Sequence, residues 1–434
     1  MKAQTSINTG PNSNKARNSA ILSTFIMGAG QIYNGQYIKG ALFLLYYLAF
    51  WLQSPAYFMK NIKGLITLGT APGKDHSLFI LIYGIVSAVL LLVVIGIHIF
   101  NIIDAYRNGK ILDNGEEVPS FRESLKNFWD IGFPYAAMSP GMIFLFIATI
   151  FPLIFTVSLA FTNYDLYHSP PGNLVDWVGL GNFKSILTLA SWRRTFVGVF
   201  TWTVIWAITN TFLIFGLGLF LAVVLNHKSI KGRNILRTIL MVPYAIPAFI
   251  STLIWRGLLN YNFGQVNKIL ASMGLGKVPW LQDAMWAKVA VILVNLWLSF
   301  PFAMALCSGV IQSISDTLYE AAEVDGATPW QKFTRITLPL VLRQIAPLMI
   351  MQFAFHFNNM GIIYLLNDGN PAVFGNQGGA GGTDILISWV YKLTMDKLKY
   401  NYAAAISIII FFIVAGFSVY QFRRTNSFKE EELM

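Results

Sequence analysis

The chain has 434 residues, 55% of them hydrophobic and only 12% charged, against roughly 45–50% and 25% in ordinary soluble domains. This composition excludes a water-soluble globular domain as the whole protein and points to lipid. A net charge of +11 would suit nucleic acid if it were clustered, but the basic residues are spread among the segments flanking apolar runs, a pattern of membrane orientation.

Residues 1–19, rich in Asn, Ser, Lys and Thr, read as a mobile cytoplasmic tail with no cleavable signal. The next stretch, SAILSTFIMGAGQIYNGQYIKG, is interrupted by Gly28, Gly30, Gly35 and Gly40. It reads as an interfacial or re-entrant helix leading into the first span, with a true extra span as the alternative. Apolar windows long enough to cross a bilayer as helix then fall near 40–58, 78–103, 139–161, 196–225, 238–259, 286–312, 345–366 and 401–422. The expected fold class is therefore an all-α polytopic membrane protein of about eight spans. Its N-terminal part, 20–103, holds the interfacial segment and two spans; a polar cytoplasmic linker, 104–138, precedes a six-span core, 139–424, and a short tail, 425–434. Lys228, Lys231, Arg233 and Arg237 between spans four and five, with Arg423 and Arg424 after span eight, place both termini in the cytoplasm.

Pro140 and Pro152 in the third span predict a kink. The segment 162–195, with Pro170-Pro171-Gly172 and VGLGNF, predicts local turns outside the membrane. Pro243 and Pro247 in MVPYAIPAFI and Pro301 in NLWLSFPF break two spans, either as a gate or as kinks that only aid packing. The Gly-rich segment 367–400 and Gly274-Leu275-Gly276-Lys277 lack G-x-x-x-x-G-K-[ST], so no nucleotide site is expected on this chain. No metal cluster or catalytic dyad emerges, and the single Cys307 reads as a packing residue.

An ion-driven carrier usually retains carboxylates inside its spans. Here the spans hold none; Arg256 lies at a span edge, and His98 and His356 remain as titratable groups. Span seven, with QFAFHFNNM, places Gln352, His356 and Asn359 on one helical face among phenylalanines. Span six, with VNLWLSFPF, places Asn295, Ser299 and Phe302 at the same spacing. Such stripes suit either a path for a neutral, hydroxyl-bearing solute stacked on aromatic faces or polar glue between helices.

Between spans six and seven, in the segment 313–344, Leu318 to Leu340 read LYEAAEVDGATPWQKFTRITLPL. Glu320, Ala321, Ala322, Asp325, Gly326, Leu338 and Pro339 stand at the spacing EAA-x2-DG-x11-LP. The expected local structure is a helix from Leu318 through Asp325, a turn at Gly326, and a second helix from Pro329 capped by Thr328.

This pattern resembles the coupling loop of binding-protein-dependent ABC-importer permeases. Together with ILRTILMVPYAIPAFISTLIWRGLLNYNFGQVN, VNLWLSFPF and FAFHFNNMGIIYLLNDGNP, it resembles the MalF type, the larger permease of maltose/maltodextrin importers, over 139–424 and more loosely over 20–138. The resemblance implies a non-catalytic eight-span subunit of a maltose/maltodextrin importer in the cell membrane. Its partners would be a second homologous permease, two copies of a cytoplasmic ATPase that uses ATP and Mg, and an extracellular sugar-binding protein; the chain itself would bind no cofactor. It also implies that the coupling loop docks the ATPase and that spans six and seven hold the sugar. Asn295, Leu298 and Asn359 match the family's sugar-site pattern, whereas Ser299, Phe302, Gln352 and His356 stand where the best-known pattern has Gly, Tyr, Ser and Asn. Only 162–195 fills the place where some members insert a large extracytoplasmic domain. The alternatives are a permease for another oligosaccharide or glycerol-phosphate-type cargo or, in a different class, a self-sufficient carrier or channel.

Overall fold

A computed structural model describes residues 14–227 and 229–424. The expected tails at 1–13 and 425–434 and the basic residue Lys228 lie outside the described residues. The described residues contain α-helix, short π and 3-10 turns, and two isolated antiparallel bridges. By length and composition, six helices suffice to cross a membrane, or eight if each of two bent helix pairs counts as one span. Each of the eight expected windows overlaps one of these.

The chain divides into two compact units. The first comprises residues up to Ser158 together with Thr162–Trp177. It begins with α1 (Lys15–Phe25) and α2 (Ala29–Tyr33), neither long enough to span, followed by α3 (Tyr37–Gln53) and α4 (Lys60–Thr67). The α3–α4 pair bends by 44° about a π-helical turn, Pro55–Met59. The long α5 (Ser77–Asp113) carries polar anchors for α1, α2 and α3. Ser19 Oγ donates to the Ala105 carbonyl at 2.9 Å, Gln31 Nε2 to the Asn101 carbonyl at 2.9 Å, and Lys39 pairs with Asp104 at 2.6 Å. Gly28 makes the turn into α2 with φ +87°, and a Cβ there would stand 2.1 Å from the Gly40 carbonyl oxygen. His98 Nε2 lies 3.1 Å from the Thr24 carbonyl oxygen, a hydrogen-bonded side chain within the unit.

The segment 104–138, expected as a polar linker, is mostly helical. The helix α5 runs to Asp113, Gly115 turns with φ +79°, and α6 (Phe121–Leu145) begins at a capping box in which Glu123 N donates to Ser120 Oγ and Ser120 N donates to Glu123 Oε2. The Ser-x-x-Glu spacing of Ser120 and Glu123 is that of a helix start. Beyond a π-helical turn at Phe146–Ile150, the helix continues as α7 (Phe151–Ala160).

The second unit comprises Leu159–Phe161 and the chain from Val178 onward. After the short α8 (Gly181–Thr188), its centre is α9 (Ala190–Asn226), which packs along α13 (Ala284–Ser313). Close approach is possible because Gly218 faces Ala303: a Cβ on Gly218 would stand 2.6 Å from that of Ala303. Ile214, Phe215, Ala222, Ala303, Cys307, Val341 and Ile345 form one buried cluster, so Cys307 is a core residue. A second cluster joins Trp202, Trp206, Val291 and Val294 to Ile362, Ile363 and Ile385.

Between α9 and α13 lie α10 (Arg233–Ala245), α11 (Ala248–Leu258) and α12 (Gln265–Ser272). The window 238–259 is a broken pair: α10 and α11 meet at 90°. Pro247 has no N–H to offer and pushes the preceding Ile246 into extended backbone (φ −91°, ψ 132°), which ends α10. After α13 come α14 (Asp316–Val324) and α15 (Pro329–Lys332), a π-helical turn at Phe333–Thr337, and then α16 (Leu338–Phe357) and α17 (Met360–Asn367).

Within the glycine-rich segment 367–400 stands a further helix, α18 (Leu386–Met395), before the last, α19 (Tyr400–Arg424). Its start is buried by an ion pair: Asp384 Oδ2 accepts from Lys392 Nζ at 2.8 Å and from Gly381 N at 2.7 Å, while Ser388 Oγ donates to Oδ1.

Candidate functional site

A cavity of about 680 Å³ lies within the second unit, walled by α9, α10, α11, α13, α16 and α17. Its lining includes Asn295, Leu298, Ser299 and Phe302 from α13, and Gln352, His356 and Asn359 from the region where α16 gives way to α17. All seven residues singled out in spans six and seven thus share one space. Pro243 and Pro247 line it as well, at the α10–α11 corner, whereas Pro301 is buried inside α13 and does not.

One geometric expectation changes. Gln352, His356 and Asn359 do not lie on one uninterrupted helix, because α16 stops at Phe357 and Asn359 occupies the break before α17 (φ −83°, ψ 81°). Two adjacent asparagines account for the interruption, since their short amides compete with the helical ladder; Asn358 Nδ2 donates back to the Ala354 carbonyl at 3.2 Å. The break still leaves Asn359 on the same cavity as His356.

The wall is neutral. Among the described residues that line the cavity there is no Asp, Glu, Lys or Arg. Its polar groups are amides, hydroxyls and one imidazole, which both donate and accept hydrogen bonds. Aromatic surface comes from Phe302, Tyr244, Phe249 and Phe355, and the Tyr244 and Phe302 rings stack at 6.2 Å with 27° between their planes. His356 is 2% exposed, and its Nδ1 has no hydrogen-bond partner in the chain. A lining of this kind can bind a neutral polyhydroxylated solute by exchanging water hydrogen bonds for amide ones and stacking its apolar faces on rings.

Two residues outside the expected stripes hold this wall together. Asn295 Nδ2 donates to Asn210 Oδ1 at 2.6 Å, Asn210 Nδ2 donates to the Trp206 carbonyl at 2.8 Å, and Trp206 Nε1 donates to the His356 carbonyl at 2.9 Å. Trp206 and Asn210 are both fully buried. A signal existed in the sequence, an Asn four residues after a Trp within the apolar fourth span, but it identified no partner helix.

The second group of expected residues forms a surface elbow. Glu320, Ala321 and Ala322 lie on α14, Asp325 caps it, and Gly326 turns the chain at φ +72°. Thr328 caps α15 in a reciprocal box with Gln331, as its position before Pro329 predicts. Tyr319 and Thr337 share a hydrogen bond of 2.8 Å, which ties α14 to the segment leading into Leu338 and Pro339. Lys332 and Glu323 pair across the turn at 2.5 Å. The elbow's tip presents apolar surface, with Val324 89% and Trp330 70% exposed. Among the described residues no group of three or more His, Cys, Asp or Glu side chains is placed to hold a metal ion.

Residues 214–427 match the family model of the binding-protein-dependent transport system inner membrane component. Over 96% of its length the chain is 44% identical to a galactooligosaccharides transport system permease protein of Bacillus subtilis, 99% of which is covered. It is 41% identical, over 95% of this chain and 97% of the other, to the maltodextrin transport system permease protein MalC of Streptococcus pneumoniae. Against the maltose/maltodextrin permease MalF of Salmonella typhimurium the identity is 39%, over 59% of this chain and 50% of that one. Among solved structures, a bacterial ABC transporter involved in import of the acidic polysaccharide alginate shares the fold, with a TM-score of 0.58 at 24% identity over 70% of this chain and 98% of that one. The chain belongs to the binding-protein-dependent transport system inner membrane components, as a multi-pass, MalF-type permease subunit of sugar ABC importers.

Proposed function

We propose that this permease moves maltose and longer maltodextrins through the cavity between α9, α10–α11, α13 and α16–α17. The observation that carries the reading is the neutral wall in which Asn295, Ser299, Gln352, His356 and Asn359 alternate with aromatic rings. A sugar without charge loses little by leaving water for such a lining. An anionic saccharide would find no compensating cation there.

Chemistry occurs elsewhere in the assembly. The elbow around Glu320, Ala321, Ala322, Asp325 and Gly326, backed by Leu338 and Pro339, inserts into a groove of a cytoplasmic ATPase, two copies of which use ATP and Mg to alternate the machine between its facing states. A second homologous permease completes the pathway, and an extracellular sugar-binding protein delivers the cargo. Both termini are cytoplasmic, consistent with the basic residues Lys231, Arg233 and Arg237 before α10 and Arg423 at the end of α19. The α10–α11 corner at Pro243 and Pro247 is the mobile wall of the cavity.

A second reading, galactooligosaccharide import, is favoured by the 44% identity to the Bacillus subtilis galactooligosaccharide permease. Uptake of labelled maltotriose and of labelled β-galactobiose, in cells lacking only this protein and in cells with it restored, separates the two. Restored uptake of maltotriose is expected; restoration of galactobiose uptake alone would replace the first cargo with the second.

A further inference from the structure

The chain of hydrogen bonds behind the cavity has a direction. The Trp206 carbonyl can only accept, so the Asn210 group 2.8 Å from it is the amide nitrogen and the oxygen of Asn210 faces the other way. That oxygen stands 2.6 Å from Asn295, whose near atom must therefore be its nitrogen. Turning either amide round would place two acceptors in contact inside a buried network, where an unmade hydrogen bond is most costly. Asn295, which is 2% exposed, is left with its carbonyl Oδ1 as the end free for the cavity it lines.

We propose that Asn210, itself oriented by the Trp206 carbonyl, is a positioning and specificity-determining residue. It fixes the Asn295 side chain with its acceptor toward the sugar, so that the site selects a hydroxyl that donates. The inference rests on the reading of this cavity as the sugar site. Trp206 serves a second wall at the same time, because its indole N–H holds the His356 carbonyl at the end of α16. About one turn of α9, from Trp206 to Asn210, thereby sets both the α13 and the α16 faces of the cavity, although none of its own atoms need touch cargo.

The test is uptake by the complete importer in cells, with maltotriose and a set of monodeoxyfluoro maltotrioses, in each of which one hydroxyl can no longer donate. The wild type is expected to show a KM raised roughly five- to tenfold for at least one member of the set, the loss of a single hydrogen bond. In Asn210→Leu that discrimination should fall to about twofold or less, with maximal uptake per immunodetected protein retained. Should Asn210→Leu fail to reach the membrane, Asn210→Thr serves instead. Its hydroxyl can bond the i−4 carbonyl as Thr211 bonds Ala207 at 2.7 Å, yet it is too short to hold Asn295.

Asn295→Leu must abolish the same discrimination, and the double variant must lose nothing more. If Asn295→Leu leaves discrimination intact, Asn295 does not read the hydroxyl and this inference fails; if Ser299→Ala, Gln352→Leu and Asn359→Ala leave it intact as well, the cavity is not the sugar site and the underlying reading fails with it. If Asn295→Leu abolishes it while Asn210→Leu and Asn210→Thr retain it, or raise every KM equally, the positioning role alone is overturned.

Discussion

The indole N–H of Trp206 donates to the carbonyl oxygen of His356 at 2.9 Å, tying the middle of α9 to the last turn of α16 where that helix breaks. A helix end leaves carbonyls without intrahelical partners. Here Asn359 N reaches the His356 carbonyl at 3.3 Å, and the buried tryptophan supplies a second, shorter donor, so the break beside the cavity has a defined geometry. Trp206→Phe keeps most of the packing and removes the donor. We expect a loss of about 1–3 kcal/mol in thermal stability of the detergent-solubilised protein, together with a raised KM for sugar uptake. Unchanged melting and unchanged KM would show that the bond does not set the break.

The elbow at Gly326 depends on a left-handed backbone. Its φ is +72°, and no atom lies within 4 Å of a Cβ built there, so conformation alone is the constraint. Gly326→Pro, with φ held near −65°, should abolish uptake while leaving normal amounts of protein in the membrane. Gly326→Ala should be milder, costing roughly 1 kcal/mol of local strain. Glu320→Lys should also uncouple, because it reverses charge on the exposed face of α14 without touching the fold. Normal uptake in both Gly326→Pro and Glu320→Lys would remove the docking role from this elbow.

The right-angle corner between α10 and α11 is attributed here to Pro247 acting on Ile246. Pro247→Ala restores an N–H and releases the preceding residue toward helical backbone. The expected outcome is a wider distribution of the angle and slower uptake at normal abundance. Spin labels at Ile239 and Leu253, both exposed, placed in a Cys307→Ser background, would report the change as a broadened distance distribution. A distribution identical to that of the unmodified corner would assign the break to another cause.

The ion pair of Asp384 and Lys392 is buried on both sides, with side chains 0% and 8% exposed. Removing one partner strands the other charge. Lys392→Met should therefore destabilise the segment by about 3–5 kcal/mol, whereas the double replacement Asp384→Leu with Lys392→Met should cost markedly less. Thermal unfolding in detergent and protease resistance of 367–400 measure both. Equal losses in the single and double variants would mean that the pair contributes through packing and not through charge.

Much of this was legible from residue order. Long apolar windows declare themselves because lipid demands internally satisfied backbone over a fixed thickness. The elbow was readable to its caps, since Thr328-Pro329 and Gly326 act through local backbone chemistry that needs no partner. Other features reach beyond local reading. The polar stretch 104–138 turns at Gly115 between the end of α5 and the Ser120–Glu123 box that starts α6. The glycines of 367–400 concealed α18, whose start is anchored by the Asp384–Lys392 pair and by Leu386 N donating to Thr203 Oγ1, 183 residues away in the chain.

At the cavity the division is sharper. Composition and spacing determined which neutral and aromatic side chains spans six and seven could offer, and the EAA pattern determined the family they serve. Only the folded chain brought them to one space, broke α16 before Asn359, excluded Pro301 from the lining, and placed Asn210 against Asn295 at 2.6 Å. The physical reason is range. Helix formation and capping are settled over a few residues, whereas the orientation of a buried amide is settled by an acceptor on a helix 85 residues away in the chain.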